Sequence, residues 1–332
     1  MTPAANFSYT STTDLTRIED LTRREFISSA FGAALLIACG DDEEDAPTPM
    51  AATRLVETLN GEIEVPSRPQ RVVTTHYIAT FTLLELGYSP VGVARGGLDY
   101  LSEHDGRLAS LPEVNPTNSE PDIELIASLK PDLILGSDFI DPEQRRLPYD
   151  RLSTIAPTVV VEWQAAAANW QTQSESYASA VGLTTEFGEL RREFQLRCDA
   201  IKATYAAQLD RYTWDLVLGG DGAYFVYSPR SAGGQVLAAA GIRLGAGADL
   251  PENFEKVSYE QIFRLAETGV IALDGRESAA ANVQALIDQP LFRDLEASRS
   301  DRVHKVPWFF PSSYKTAMAL LGGVEAVLKQ IS

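Results

Sequence analysis

The stretch Pro121 to Gly136, PDIELIASLKPDLILG, sets a short helix directly against a strand. Ile123, Ile126 and Leu129 recur at three-residue spacing, so one helical face is apolar. Pro131 stops that helix, because proline lacks the N–H that the next turn needs. Leu133, Ile134 and Leu135 then form an apolar run suited to a strand covered on both faces. Helix followed by strand is half of a parallel α/β unit.

A second copy follows at Ser258 to Gly275, SYEQIFRLAETGVIALDG. Both copies contain E-x-I-x-x-L, as Glu124, Ile126, Leu129 and as Glu260, Ile262, Leu265. Ser258 and Gln261 have the spacing of a capping box, which places Glu260 in a first helical turn. Glu124 follows a Pro-Asp pair and is expected in the same place. An acid there complements the helix macrodipole, a sufficient reason for either glutamate alone. Its repetition in both halves points further, to two equivalent acidic knobs on two similar lobes. The expected fold class is α/β, with two lobes, each a mainly parallel sheet flanked by helices.

A chain of 332 residues has room for two such cores. Its net charge of −18 argues against nucleic acid as a partner. The two cysteines, Cys39 and Cys198, cannot build a disulfide framework and lie in no zinc-type pair. His76, His104 and His304 are scattered. No H-E-x-x-H, G-x-S-x-G, phosphate-loop or dinucleotide fingerprint is present, so no catalytic residue is nominated and no enzyme is expected.

Residues 1–38 read as an export signal. Arg23 and Arg24 precede the uncharged run Phe26 to Ala38, shorter than the roughly 20 residues of a relaxed membrane span. The arginine pair resembles a twin-arginine signal, and Leu36-Ile37-Ala38-Cys39 resembles a lipobox, with Cys39 as the lipid anchor. Several acyl chains on one residue give a stable anchor where one chain is marginal. The acidic, proline-bearing stretch DDEEDAPTP cannot pack a core, so residues 39–53 are expected to be a solvated tether.

The body is expected to divide into an N-terminal lobe at 54–168, a bridging helical segment at 169–211 and a C-terminal lobe at 212–332. Strands are expected at Arg71 to Thr75, Pro90 to Ala94 and Thr158 to Trp163, with a helix from Phe81 to Leu86 closed by Gly87. From Thr185 to Leu209 apolar residues recur every three or four positions, predicting one long helix able to cross between lobes. Cys198 lies on that stripe and reads as a packed thiol. Asp215 to Gly219 and Ala223 to Tyr227 read as a hairpin around GGDG. A helix at Val236 to Ala240, a strand at Val303 to Val306 and a closing helix from Ser313 to Ile331 complete the second lobe.

These residues resemble the substrate-binding proteins of ABC importers for ferric siderophores, haem and vitamin B12. The resemblance spans about 54–331. It is carried by Pro69-Gln70-Arg71-Val72-Val73, by Leu83 to Val93, by Ile123 to Leu135 and more weakly by Ser258 to Leu273. It implies two lobes joined by one long bridging α-helix, with ligand held in the cleft, no cofactor and a monomer. It implies that Glu124 and Glu260 dock onto arginines of a membrane permease. It also implies an exported protein, membrane-anchored through Cys39 and facing the periplasm or the cell exterior.

Loops after strand ends of both lobes then supply the ligand candidates. The first lobe nominates His76, Tyr77, Arg95, Asp138 and Trp163; the second nominates Tyr224, Tyr227, Arg230, Trp308, Phe309 and Tyr314. Aromatic faces and guanidinium groups suit a bulky, oxygen-rich metal chelate. No dense arginine cluster of the kind a tri-catecholate needs is visible, which favours a hydroxamate, mixed-ligand or carboxylate ferric siderophore. Haem, with His76 or Tyr77 as axial ligand, and cobalamin are alternatives within the fold. A direct metal-ion receptor and an exported hydrolase are the others.

Overall fold

The computed structural model describes residues 52–95, 108–116, 120–164, 168–307 and 309–331. The expected export signal with Arg23 and Arg24, the expected anchor Cys39, and Trp308 lie outside them. No helix among the described residues is long and apolar enough to cross a membrane.

The body opens with an antiparallel hairpin, β1 (Thr53–Thr58) and β2 (Gly61–Pro66). The N-terminal lobe follows, built on β3 (Val72–Thr74), β6 (Leu133–Asp138) and β7 (Thr158–Glu162), all parallel and in the order β3-β6-β7. A parallel pair, β4 (Val93–Ala94) and β5 (Glu113–Asn115), extends this layer through a bridge from Val73 to Gly92. The strand expected over Pro90 to Ala94 is thus only its last two residues. Leu133, Ile134 and Leu135 are wholly buried, as the covered-strand reading requires.

The second sheet has the order β10-β9-β8-β11-β12. Strands β8 (Trp214–Gly220), β11 (Val270–Asp274) and β12 (Val303–Val306) run parallel. Strands β9 (Ala223–Tyr227) and β10 (Phe254–Ser258) are antiparallel additions at one edge. The β8–β9 hairpin forms where GGDG predicts it, with Gly222 at φ +64°.

Between the sheets runs a helical segment, Trp170–Val181, then Thr184–Thr204, then Ala206–Arg211. Gly182 separates the first two at φ +78°, a left-handed conformation that glycine adopts without a Cβ penalty. The long helix carries Phe187, Phe194, Cys198 and Ile201 on its buried face. Burial pushes the Cys198 thiol up to about 11, consistent with a packed, unreactive group. The predicted continuous helix to Leu209 is broken at Tyr205, whose backbone leaves the helical region at φ −115°, ψ 25°. Its hydroxyl donates to Glu325 on the closing helix, Tyr314–Gln330, and Arg197 pairs with the same carboxylate. The bend therefore sits where the bridge is tied to the last helix.

The helix before β10 begins at Ala232, earlier than the apolar pattern shows, because the Ser231 hydroxyl accepts from Gly234 N–H. A Cβ on Gly234 would strike the Ser228 carbonyl, so the missing side chain allows this close approach.

The two E-x-I-x-x-L units fold differently. The first is an α-helix, Ile123–Ser128, whose N-cap Asp122 accepts from Leu125 N–H at 2.9 Å. At its other end the Arg71 guanidinium donates to the Leu129 and Lys130 carbonyls, and Lys130 turns left-handed before Pro131. The second is a 3-10 helix, Tyr259–Leu265, kinked at Gln261. The capping box expected from Ser258 and Gln261 does not form, since Ser258 makes no cap bond. Instead Tyr224 donates to the Gln261 carbonyl at 2.9 Å and fixes the kink. Glu124 and Glu260 both stand in first turns and both are exposed.

Candidate functional site

The carboxyl ends of β3, β6 and β7 open onto a cavity of about 230 Å³. Parallel α/β layers leave such a crevice where the loops diverge. Thr75, His76, Tyr77, Asn115, Ser137, Asp138, Phe139, Arg146, Leu147 and Trp163 line it.

His76 is the N-cap of the helix Tyr77–Glu85, its Nδ1 accepting from Ile78 N–H at 3.4 Å. Burial pushes its imidazole down to about 3, so it is neutral at physiological pH. Its ring lies 4.5 Å from that of Tyr77. Burial raises the Tyr77 phenol, with the nearby Trp163 indole opposing the shift. The Trp163 N–H lies toward that hydroxyl yet forms no well-aligned bond to it or to another described group. Phe139 meets Trp163 edge to face at 5.1 Å, and Arg146 sits 5.9 Å from the Phe139 ring centre. Aromatic walls thus surround an opening edged by one exposed guanidinium.

Asp138 organises this end of the lobe. Its carboxylate accepts from the N–H groups of Phe139, Arg146 and Leu147, and its carbonyl accepts from Trp163 N–H at 2.8 Å. The Asp138 side chain is therefore occupied in holding the 139–147 loop. Ser137 shares its hydroxyl with Tyr177 at 2.5 Å, anchoring β6 to the helical segment.

The cavity brings together His76, Tyr77, Asp138 and Trp163 of the sequence candidates. Arg95 lies elsewhere: its guanidinium donates to the Leu108 and Leu111 carbonyls and holds that turn in place. Tyr314 packs at 3% exposure among Trp170, Phe187 and Phe194, inside the contact between the closing helix and the bridge. Tyr224 is buried and points its hydroxyl at Gln261. Tyr227 joins Phe254, Phe309 and Phe310 in an aromatic cluster of the second lobe, where Arg276 stacks 5.0 Å from Phe310 and pairs with buried Asp274. Arg230 is exposed and donates to the Pro251 carbonyl at 2.7 Å. Its segment reaches the first lobe, because the Gln235 amide donates to both the Arg230 and Ala168 carbonyls.

Sequence reasoning missed Asn115, Phe139 and Arg146. Asn115 ends a three-residue strand too short to show a pattern, and Arg146 sits in a charged run that reads as solvated surface. Only Phe139, just beyond the apolar run Leu133 to Leu135, carries a sequence signal.

Among the described residues no three His, Cys, Asp or Glu side chains converge as a metal site. A relative from Bacillus subtilis, the probable siderophore-binding lipoprotein YfiY, is 31% identical over 185 residues, 53% of this chain and only 54% of its own length. The Fe(3+)-citrate-binding protein YfmC of the same organism is 26% identical over 76% of this chain and 78% of its own. Among solved structures, the siderophore periplasmic binding protein from the fuscachelin gene cluster of Thermobifida fusca matches with a TM-score of 0.71. It is 29% identical, over 80% of this chain and 99% of that one. Staphylococcus aureus SirA complexed with staphyloferrin B shares the two-lobe fold at a TM-score of 0.70 and 20% identity, over 83% of this chain and 99% of that one. The family model described as periplasmic binding protein matches residues 72–307, most of the body just described, and the chain belongs to that family.

Proposed function

We propose that the chain is a lipid-anchored receptor that holds a ferric siderophore between its lobes and hands it to an ABC permease. The observation that carries this reading is the aromatic-walled cavity at the strand ends of the first lobe, edged by Arg146. Aromatic faces take the ligand body, and a guanidinium at the edge meets the oxygen-rich iron centre. Related proteins are named for siderophore and ferric citrate binding, which supports a ferric chelate as cargo. A receptor of this kind needs no catalytic residues and no cofactor. Haem and cobalamin are the rival cargoes.

Glu124 and Glu260 are proposed as the permease contacts. Each is exposed in a first helical turn, where a carboxylate can pair bidentately with guanidinium groups. Cys39 is proposed as the anchor, following the export signal with Arg23 and Arg24. Lobe closure is expected to be modest. The bridge is packed against the closing helix, and Glu85 of the first lobe accepts from the Ser313 hydroxyl and from Lys315 N–H at its start.

Isothermal titration of the exported body with ferric trihydroxamate, ferric citrate, haem and cobalamin tests the reading. At least one ferric chelate is expected to bind at micromolar Kd or tighter, with the iron-free chelator weaker. Binding of haem or cobalamin alone would contradict the assignment.

A further inference from the structure

Two buried polar atoms in the first-lobe cavity make no well-aligned hydrogen bond to a described residue. Asn115 is 2% exposed and donates its Nδ2 to the Thr75 carbonyl at 2.9 Å. That bond fixes the amide orientation, since the carbonyl needs a donor, and it leaves Oδ1 buried and unpaired. The Trp163 Nε1 is likewise buried and makes no well-aligned bond, its nearest described acceptor being the Tyr77 hydroxyl. One is an acceptor and the other a donor, and both residues line the same cavity. Native proteins leave few such atoms, and those retained call for a partner.

The charge of the cavity narrows what that partner is. Asp138 is occupied by three backbone N–H groups, His76 is neutral, and Arg146 is exposed. No described cation is buried within it. An anionic carboxylate or catecholate arm entering here would lose hydration without gaining a buried counter-charge. A neutral amide arm offers an N–H to Asn115 Oδ1 and a carbonyl to the Trp163 N–H.

We propose that Asn115 and Trp163 make this cavity a selectivity pocket for an uncharged, amide-type arm of the chelate, leaving the charged iron centre toward the Arg146 edge. The pairing assigns these residues a role in discrimination between chelates, and it rests on the ferric-chelate reading above.

The test compares two probes by isothermal titration: a linear ferric trihydroxamate with backbone amides, and ferric citrate, which has none. Trp163→Phe keeps an aromatic wall and deletes the N–H; Asn115→Leu deletes the acceptor and, with it, the Nδ2 bond to the Thr75 carbonyl. Each variant is expected to lose about tenfold or more in affinity for the trihydroxamate, as for a deleted hydrogen bond in a dry site. Affinity for ferric citrate is expected to change less than about twofold, which also shows that the variants are folded. Equal losses for both probes, or no loss for either, would overturn the selectivity role while the receptor reading stands. Failure of the unaltered protein to bind either probe would instead overturn the receptor reading.

Discussion

The helix after Asp122 and the helix after Ser258 share E-x-I-x-x-L, yet one is α and the other 3-10. The isoleucines behave alike, with Ile126 and Ile262 both wholly buried. The ends differ. Asp122 caps the first start and Arg71 caps its finish, whereas Ser258 makes no cap bond and Tyr224 holds the second at a kink. Spacing therefore decides which face is buried, and capping decides which helix forms. Both arrangements nevertheless leave a glutamate exposed in the first turn, the property that the proposed docking needs.

The largest effect is expected where the two units act together. Reversing both acids, Glu124→Lys with Glu260→Lys, is expected to lower chelate uptake by an importing cell about tenfold or more, with Kd unchanged. Single reversals sharpen the comparison: similar losses mean equivalent anchors, and unaltered uptake in the double variant breaks the docking assignment.

The lobes are also expected to differ in acid. His76 in the first lobe is held down to about 3 by burial, far below its unfolded value. Between the two values only the unfolded chain takes up the proton, so stability falls as pH drops from about 6.5 toward 3, by at most about 1.4 kcal/mol per pH unit. His304 in the second lobe is lowered by burial too, but Asp301 opposes the shift. Denaturant titrations across that range are expected to lose more of their pH slope in His76→Asn than in His304→Asn. The reverse order would show that the first-lobe histidine is not the dominant one.

Smaller again is the difference between caps. Asp122→Ala is expected to cost about 1 kcal/mol in denaturant unfolding. Ser258→Ala is expected to cost less than half of that, since no cap bond is lost. Equal costs would break the capping explanation. The smallest effect belongs to the bidentate pair of Arg264 with Glu255, both bonds at 2.8 Å, beside the second unit. Glu255 is held below the usual carboxylate range by Arg264, but its side chain is 42% exposed. Arg264→Ala is therefore expected to cost only a few tenths of a kcal/mol by thermal melting.

The lobes were legible in the sequence because buried parallel strands are written as continuous apolar runs, as at Leu133 to Leu135 and Val270 to Leu273. The long helix was legible by its stripe, but its bend was not. Tyr205 keeps the apolar period, and the carboxylate that its hydroxyl reaches lies 120 residues away at Glu325. The cavity was half legible. His76, Tyr77 and Trp163 follow recognisable strands, while Asn115 and Arg146 reach it through tertiary contacts that leave no local pattern. Arg95 and Tyr314 occupy the expected chain positions, yet hydrogen bonds to Leu108 and Leu111, and packing on Phe187 and Phe194, engage them elsewhere.

Where iron sits is the most direct question to put to the molecule. Crystals grown with a ferric chelate and measured at the iron absorption edge are expected to show one strong anomalous peak beyond the carboxyl ends of β3, β6 and β7, near Arg146. A single peak on the far side of either sheet, or at the exposed acids Glu124 and Glu260, would contradict the account.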